Sequence, residues 1–292
     1  MRHILLIVVL VGAAALGGCT DGVLDPKGPI ALAERQILFN ATGIMLAIVI
    51  PTVVATLGVA FWFRASNERA RHRPNFKYSG RIELLMWSIP LMTVLLVGTV
   101  AWISAYDLDP PKPIASSAKP VKVQVVALDW KWLFIYPEEG VASVNHMTIP
   151  VDTPVSLELT SSGVMKSFFV QQLAGQIYTM AGMATHLNLR ADHSGTYRGM
   201  SANFSGDGFA DMYFNVDVVA PDAFAQWVAS TRSAGPVLDA QTYAALVKPS
   251  KAVAPFTYRS IANGLFASIL SATSQTVEGL CVTYPESMRA ER

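Results

Sequence analysis

Thiol, copper and zinc chemistry need cysteine or histidine in tight groups, and this chain carries two cysteines and five histidines among 292 residues. Cys19 and Cys281 sit near opposite ends, where one disulfide is possible in principle, but neither belongs to a CxxC or a metal-ligand pattern. His146, His186 and His193 fall on three different segments, so their spacing writes no ligand set of the kind a metal requires. One carboxylate stands out. Glu83 lies between Ile82 and Leu84 at the edge of a long apolar run, where an acid suggests proton uptake. The commoner meaning of such a residue is a solvated helix-start acid that favours the N-terminal dipole. In the string Asp129-Trp130-Lys131-Trp132, the two tryptophans read as core or subunit-contact aromatics.

The elements that hold these residues belong partly to a membrane, because 52% of the residues are hydrophobic and only 15% charged. The formal charge of +1 comes from unlike segments and gives no clustered basic face for nucleic acid. The chain opens with Arg2, an apolar run from Ile4 to Leu16, and Gly17 and Gly18 directly before Cys19. That order is a secretory signal, and the run is shorter than the about 20 residues a spanning helix needs. Leu16-Gly17-Gly18-Cys19 also resembles a bacterial lipobox. Residues 1–18 are then expected to be removed and Cys19 to carry lipid on the outer face of the cytoplasmic membrane.

Two uncharged stretches, 41–63 and 84–106, are long enough to span. Between them stand Arg64, Arg69, Arg71, Arg73, Lys77 and Arg81 against the acid Glu68, with Glu83 at the mouth of the second stretch, which makes that loop cytoplasmic. Everything after about Asp107 is therefore periplasmic, in agreement with an outward-facing Cys19. Trp62, Trp87 and Trp102 suit interfacial belts, and Pro51 and Pro90 are tolerated where neighbouring helices can take up the freed carbonyls. Gly43, Gly58 and Gly98 suggest helix packing with other membrane proteins.

A proline-rich linker, 107–120, reads as a semi-extended spacer. Residues 121–220 then show short β-branched and aromatic runs at 121–128, 132–136, 143–149, 155–160, 167–170, 186–190, 195–200 and 212–218. Turn residues punctuate these runs, as in an antiparallel Greek-key sandwich of about 100 residues. In the extension 221–292, residues 223–229 and 240–247 have helical spacing, and 261–270 is too short and broken for a third span. The fold expected is an α+β membrane protein: residues 19–106 form a lipid anchor and a two-helix transmembrane hairpin, followed by a β-sandwich and short C-terminal helices.

Two spans followed by a β domain with Asp129-Trp130-Lys131-Trp132 and the segment 195–212 are similar to subunit II of the haem-copper oxidases. The likeness runs to about residue 270. In the branch of that family fed by cytochrome c, a cupredoxin-like domain holds two coppers through two histidines, two cysteines four apart, a glutamate carbonyl and a methionine. Laid on that pattern, this chain has Lys166 and Phe209 at the histidine positions, Ser201 and Ser205 at the cysteine positions, Asn203 for the glutamate, and a retained Met212. Hydroxyls, phenyl and ammonium do not hold copper. The segments 167–169, 176–183 and 224–228 are similar to the copperless quinol-oxidase branch, of the cytochrome bo type.

The resemblance implies a chain with no cofactor of its own, within a complex that oxidises ubiquinol, reduces dioxygen to water and moves protons. Haems and one copper are expected in subunit I, with subunits III and IV and membrane lipid as further partners. The alternatives are a cytochrome c oxidase subunit II with an altered metal site, and a stand-alone membrane lipoprotein whose domain binds a periplasmic partner.

Overall fold

The computed structural model describes residues 22–71 and 75–272. The expectations for residues 1–18, Cys19, Arg73 and Cys281 lie outside the described residues. The described residues divide into two compact units, one within 33–109 and one in which residues 22–32 join residues 110–272.

The first unit holds two apolar helices, α1 (Pro29–Trp62) and α2 (Gly80–Asp107), both long enough to cross a membrane. Helix α1 starts at Pro29 rather than at residue 41. Proline suits a first helical position, and the polar residues Glu34, Arg35, Gln36 and Asn40 are compatible with helix outside the lipid. Its 34 residues reach about 50 Å, well beyond a hydrocarbon core of about 30 Å. Beside Pro51, the Thr52 hydroxyl donates to the Ile48 carbonyl at 2.8 Å; beyond Pro90, the Thr93 hydroxyl donates to the Ile89 carbonyl at 2.7 Å. The carbonyls that the two prolines leave without an N–H partner are those four residues earlier, at Ala47 and Met86.

The second unit is a sandwich. Strands β1 (Val121–Leu128), β2 (Lys131–Tyr136), β3 (Val141–Val144), β5 (Val155–Ser161) and β8 (Thr185–Leu189) form one sheet with β12 (Phe256–Tyr258), in the order β12-β3-β2-β1-β5-β8. Strands β4 (His146–Pro150), β6 (Lys166–Val170), β7 (Ala174–Thr179), β9 (Gly195–Ser201) and β10 (Tyr213–Val219) form the other, in the order β4-β10-β9-β6-β7. The sheets are mixed rather than wholly antiparallel, since β1 runs parallel to β5 and β4 parallel to β10. The run expected as one strand over 143–149 breaks at Asn145, whose backbone is left-handed at φ 53°. Its side-chain oxygen accepts the Trp132 N–H at 2.8 Å. There the chain leaves the first sheet for the second, giving a cupredoxin-like sandwich.

Trp132 and Phe134 from one sheet meet Phe168 and Phe214 from the other, with Phe168 stacked on Phe214 at 5.1 Å between ring centroids. Each buried ring of this size is worth about 2–3 kcal/mol. Helix α3 (Pro221–Ser233) adds Phe224 and Val228 to this core. A second apolar cluster explains why β2 is buried at every residue instead of alternating. Leu133 and Ile135 point to the outer face of the first sheet, where β11 (Val237–Leu238), α4 (Ala240–Leu246), β12, β13 (Ser260–Ile261) and the helical residues 265–272 cover them. These C-terminal elements include three short strands as well as the expected helices.

Candidate functional site

Lys166 opens β6 and Ser201 closes β9; these strands are neighbours, with Phe168 opposite Ser201. The Ser201 N–H donates to the Met212 carbonyl at 3.0 Å, and the Ala202 N–H to the Ser167 carbonyl at 3.0 Å. Asn203, Ser205 and Phe209 lie on the loop between β9 and β10. That loop is fastened by Asn203 Nδ2 to the Met165 carbonyl at 3.5 Å and by edge-to-face packing of Phe204 on Phe209. The expected ligand positions therefore converge on one end of the sandwich.

What fills that end is an ion pair between a buried lysine and a half-exposed aspartate. Lys166 is 0% exposed, and its Nζ lies 3.0 Å from Asp129 Oδ1, with the Val164 carbonyl at 3.5 Å. The ammonium thus ties the β1–β2 turn to the loop that leads into β6. Met212 is buried in the apolar core. An ammonium, two hydroxyls, an amide and a phenyl ring do not fit a copper ion. Among the described residues no group of three or more His, Cys, Asp and Glu side chains could hold a metal. His146 Nε2 lies 3.0 Å from Asp217 Oδ2, His186 is exposed on β8, and the His193 carbonyl accepts the Tyr197 hydroxyl, so the three histidines stay apart.

The turn Asp129-Trp130 is built around its neighbours. Trp130 has φ 63°, a conformation that costs a bulky residue energy. Its Nε1–H donates to the Ser205 carbonyl at 3.0 Å, and its ring lies on Gly208, where an added Cβ would fall 2.4 Å from ring atoms. Only glycine leaves room for the indole.

Residues 232–272 match the COX Aromatic Rich Motif. The cytochrome bo(3) ubiquinol oxidase subunit 2 of Pseudomonas aeruginosa is 45% identical to this chain, over 90% of the chain and 79% of that protein. The ubiquinol oxidase subunit 2 of Acetobacter aceti is 43% identical over 90% and 86%, and the quinol oxidase subunit 2 of Bacillus subtilis 33% identical over 85% and 78%. This chain belongs to the quinol oxidase subunit 2 family.

In this chain the residues that match the aromatic-rich motif form the layer over the outer face of the first sheet. Two pins hold the segment within it. Lys131, 1% exposed, donates from Nζ to the Lys248 carbonyl at 2.8 Å and the Ser250 hydroxyl at 2.6 Å, while Asn145 Nδ2 donates to the Val253 carbonyl at 2.8 Å. Burial pushes the Lys131 ammonium below the usual lysine range; Asp129 opposes the shift and Lys166 adds to it. Asp129 and Lys131 enter the sequence reading only within the string Asp129-Trp130-Lys131-Trp132 and without a role, and Asn145 does not enter it. Their partners lie 37 residues away for Asp129 and over 100 for the other two, so no local spacing signals them. Glu83 sits in the first turn of α2, exposed, with its N–H on the Ser79 carbonyl and Phe76, Lys77, Tyr78 and Trp87 beside it.

Proposed function

We propose that this chain is the non-redox subunit II of a proton-translocating terminal quinol oxidase, in which two quinols and one dioxygen give two quinones and two waters. The observation that carries this reading is the Lys166–Asp129 pair at the end of the sandwich. A buried ammonium at a ligand position excludes a cation beside it, so this domain offers no stop for electrons from a soluble donor. A membrane-soluble quinol is then the donor. The haems and copper belong to subunit I; subunits III and IV complete the assembly, and ubiquinol is the quinol favoured by the relatives' names.

In this reading the helices stand in the cytoplasmic membrane beside subunit I and the sandwich caps its periplasmic face. The chain matures by loss of residues 1–18 and lipidation of Cys19, leaving residues 19–106 as the anchor and hairpin, 107–120 as the connection, 121–220 as the sandwich and 221–292 as its extension. Glu83 acts as a solvated helix-start acid, so Glu83→Gln is expected to leave turnover and proton pumping unchanged; a drop in the pumped protons per electron would assign it to proton uptake.

The deciding experiment is purification of the chain in mild detergent from its own membranes. Co-purifying haem, about one copper per complex by the subunit assignment above, and quinol-dependent oxygen uptake without cytochrome c support the proposal. Two further coppers with cytochrome c dependence would reinstate an electron-accepting subunit II, and a haem-free single chain would make it a stand-alone lipoprotein.

A further inference from the structure

The residues that lead into the first helix and those that follow the second are both held by one short stretch of the sandwich. On the N-terminal side, the Lys27 N–H donates to the Gln172 carbonyl at 2.7 Å, and the Lys27 carbonyl accepts the Asp192 N–H at 2.8 Å. Gln172 Nε2 reaches the Asp25 carbonyl at 3.2 Å, and Asp25 pairs with Lys27 at 2.8 Å. Gly28 lies so close to the sandwich that an added Cβ would fall 2.2 Å from the Arg190 carbonyl oxygen and 3.1 Å from that of Leu173. Just beyond it, Ala31 is 1% exposed and Ile30 packs against the main core.

On the other side, the Asn188 N–H donates to the Pro110 carbonyl at 2.9 Å. Its side-chain Nδ2 donates to the Pro111 and Lys112 carbonyls at 2.8 and 3.3 Å. Strand β8 is an edge strand, paired only with β5 among the described strands. Its outward N–H at Asn188 is thus spent on the segment after α2, while the turn that continues it, stiffened by Arg190 on Asp192 at 2.8 Å, is spent on the segment before α1.

We propose that Asn188 to Asp192 act as a yoke: one five-residue stretch grips both chain segments that run to the membrane helices, Asp25–Gly28 on one side and Pro110–Lys112 on the other. The start of the proline-rich connection is then a fixed attachment rather than a free spacer, and Gly28 and Asn188 are positioning residues. A glycine is required at 28 because of close backbone approach, not because of a turn. The proposal stands on the sandwich alone and is independent of the oxidase reading.

Amide hydrogen exchange on the full-length chain, in detergent with whatever subunits accompany it, tests the yoke. In the wild type the amides of Asn188 and Asp192 are expected to be protected like those of the neighbouring strand β5. Exchange there as fast as at the exposed Ser116 and Ser117 would overturn the proposal, and that comparison needs no variant. In Gly28→Ala, exchange at Lys27 and Asp192 should rise at least about fivefold, the effect of one lost backbone hydrogen bond, with trypsin now cutting after Lys27. In Asn188→Ala, exchange at the residue-188 amide, which donates to the Pro110 carbonyl, should rise, while the amides of β1 and β2 keep their protection. Unchanged exchange in both variants would show that the two segments are not held by this stretch.

Discussion

At the scale of single residues, the chemistry of the sandwich end was readable from residue types, while the way it is held together was not. Ser201, Ser205 and Phe209 announce by their side chains that they bind no copper. Nothing in the string announces that Lys166 is wholly buried or that its partner is Asp129, 37 residues earlier. The pair makes an asymmetric prediction. Removing the acid in Asp129→Asn leaves an ammonium buried without its counterion and should cost about 2–3 kcal/mol, toward the low side for buried pairs because Asp129 is 37% exposed. Removing the ammonium in Lys166→Met keeps the volume, leaves the acid partly in water and should cost under about 1 kcal/mol. Urea unfolding of the two variants and of the double variant measures both, and equal losses would mean that the charge of Lys166 is not what matters.

The secondary-structure elements divide by how much of their pattern is local. Strand β1 begins with alternating Val121, Val123 and Val125 and was placed at its full length, since period-two alternation needs no knowledge of the rest of the chain. Strand β7, with Gly175 and Gln176 among its residues, and the two- and three-residue strands of the C-terminal layer carry no such pattern; they exist because a paired neighbour supplies their hydrogen bonds. The division of 143–149 at Asn145 has the same origin. Asn145→Ala removes the acceptor for Trp132 N–H and the donor to the Val253 carbonyl, and it takes from φ 53° the side-chain amide that makes asparagine tolerant of left-handed backbone. A loss of about 2–3 kcal/mol follows from two hydrogen bonds and the left-handed backbone. Denaturant unfolding gives the size, and faster proteolysis within 248–255 would locate the effect at the pinned segment.

For the whole molecule, the two spans, the β domain and the membrane setting were legible because hydropathy and charge are summed over many residues. The second apolar layer was not, because strand β2 looks the same whether it is covered on one face or on both. Burial of tyrosine in the main core at Tyr136 and in the second layer at Tyr243 has a consequence in alkali. Burial holds the Tyr136 hydroxyl, which is bonded to Thr148, above the usual tyrosine range, and pushes Tyr243 up to about 12. An acid whose folded pKa is raised keeps its proton in the folded state after the unfolded chain has lost it. Its stabilising contribution is therefore full below pH about 10 and declines as the pH rises through the interval between the unfolded and folded values. Stability should fall steeply above pH about 10, with Tyr136 and Tyr243 titrating late or only on unfolding in an absorbance titration of tyrosinate.

The pairing of β12 on β3 also decides which fragments of this protein can be handled. Phe256 to Tyr258 occupy the outer edge of β3, opposite Val144 to Ala142. A periplasmic fragment cut after the sandwich, near Ala220, would uncover that edge together with the apolar outer faces of β2 and β3. An exposed edge with an apolar face is a template for another chain. Such a fragment is expected to aggregate through edge-to-edge pairing, while one carried through residue 272 stays monomeric, a difference that light scattering at matched concentration would reveal. The aromatic-rich motif is then expected to guard the sandwich against self-assembly.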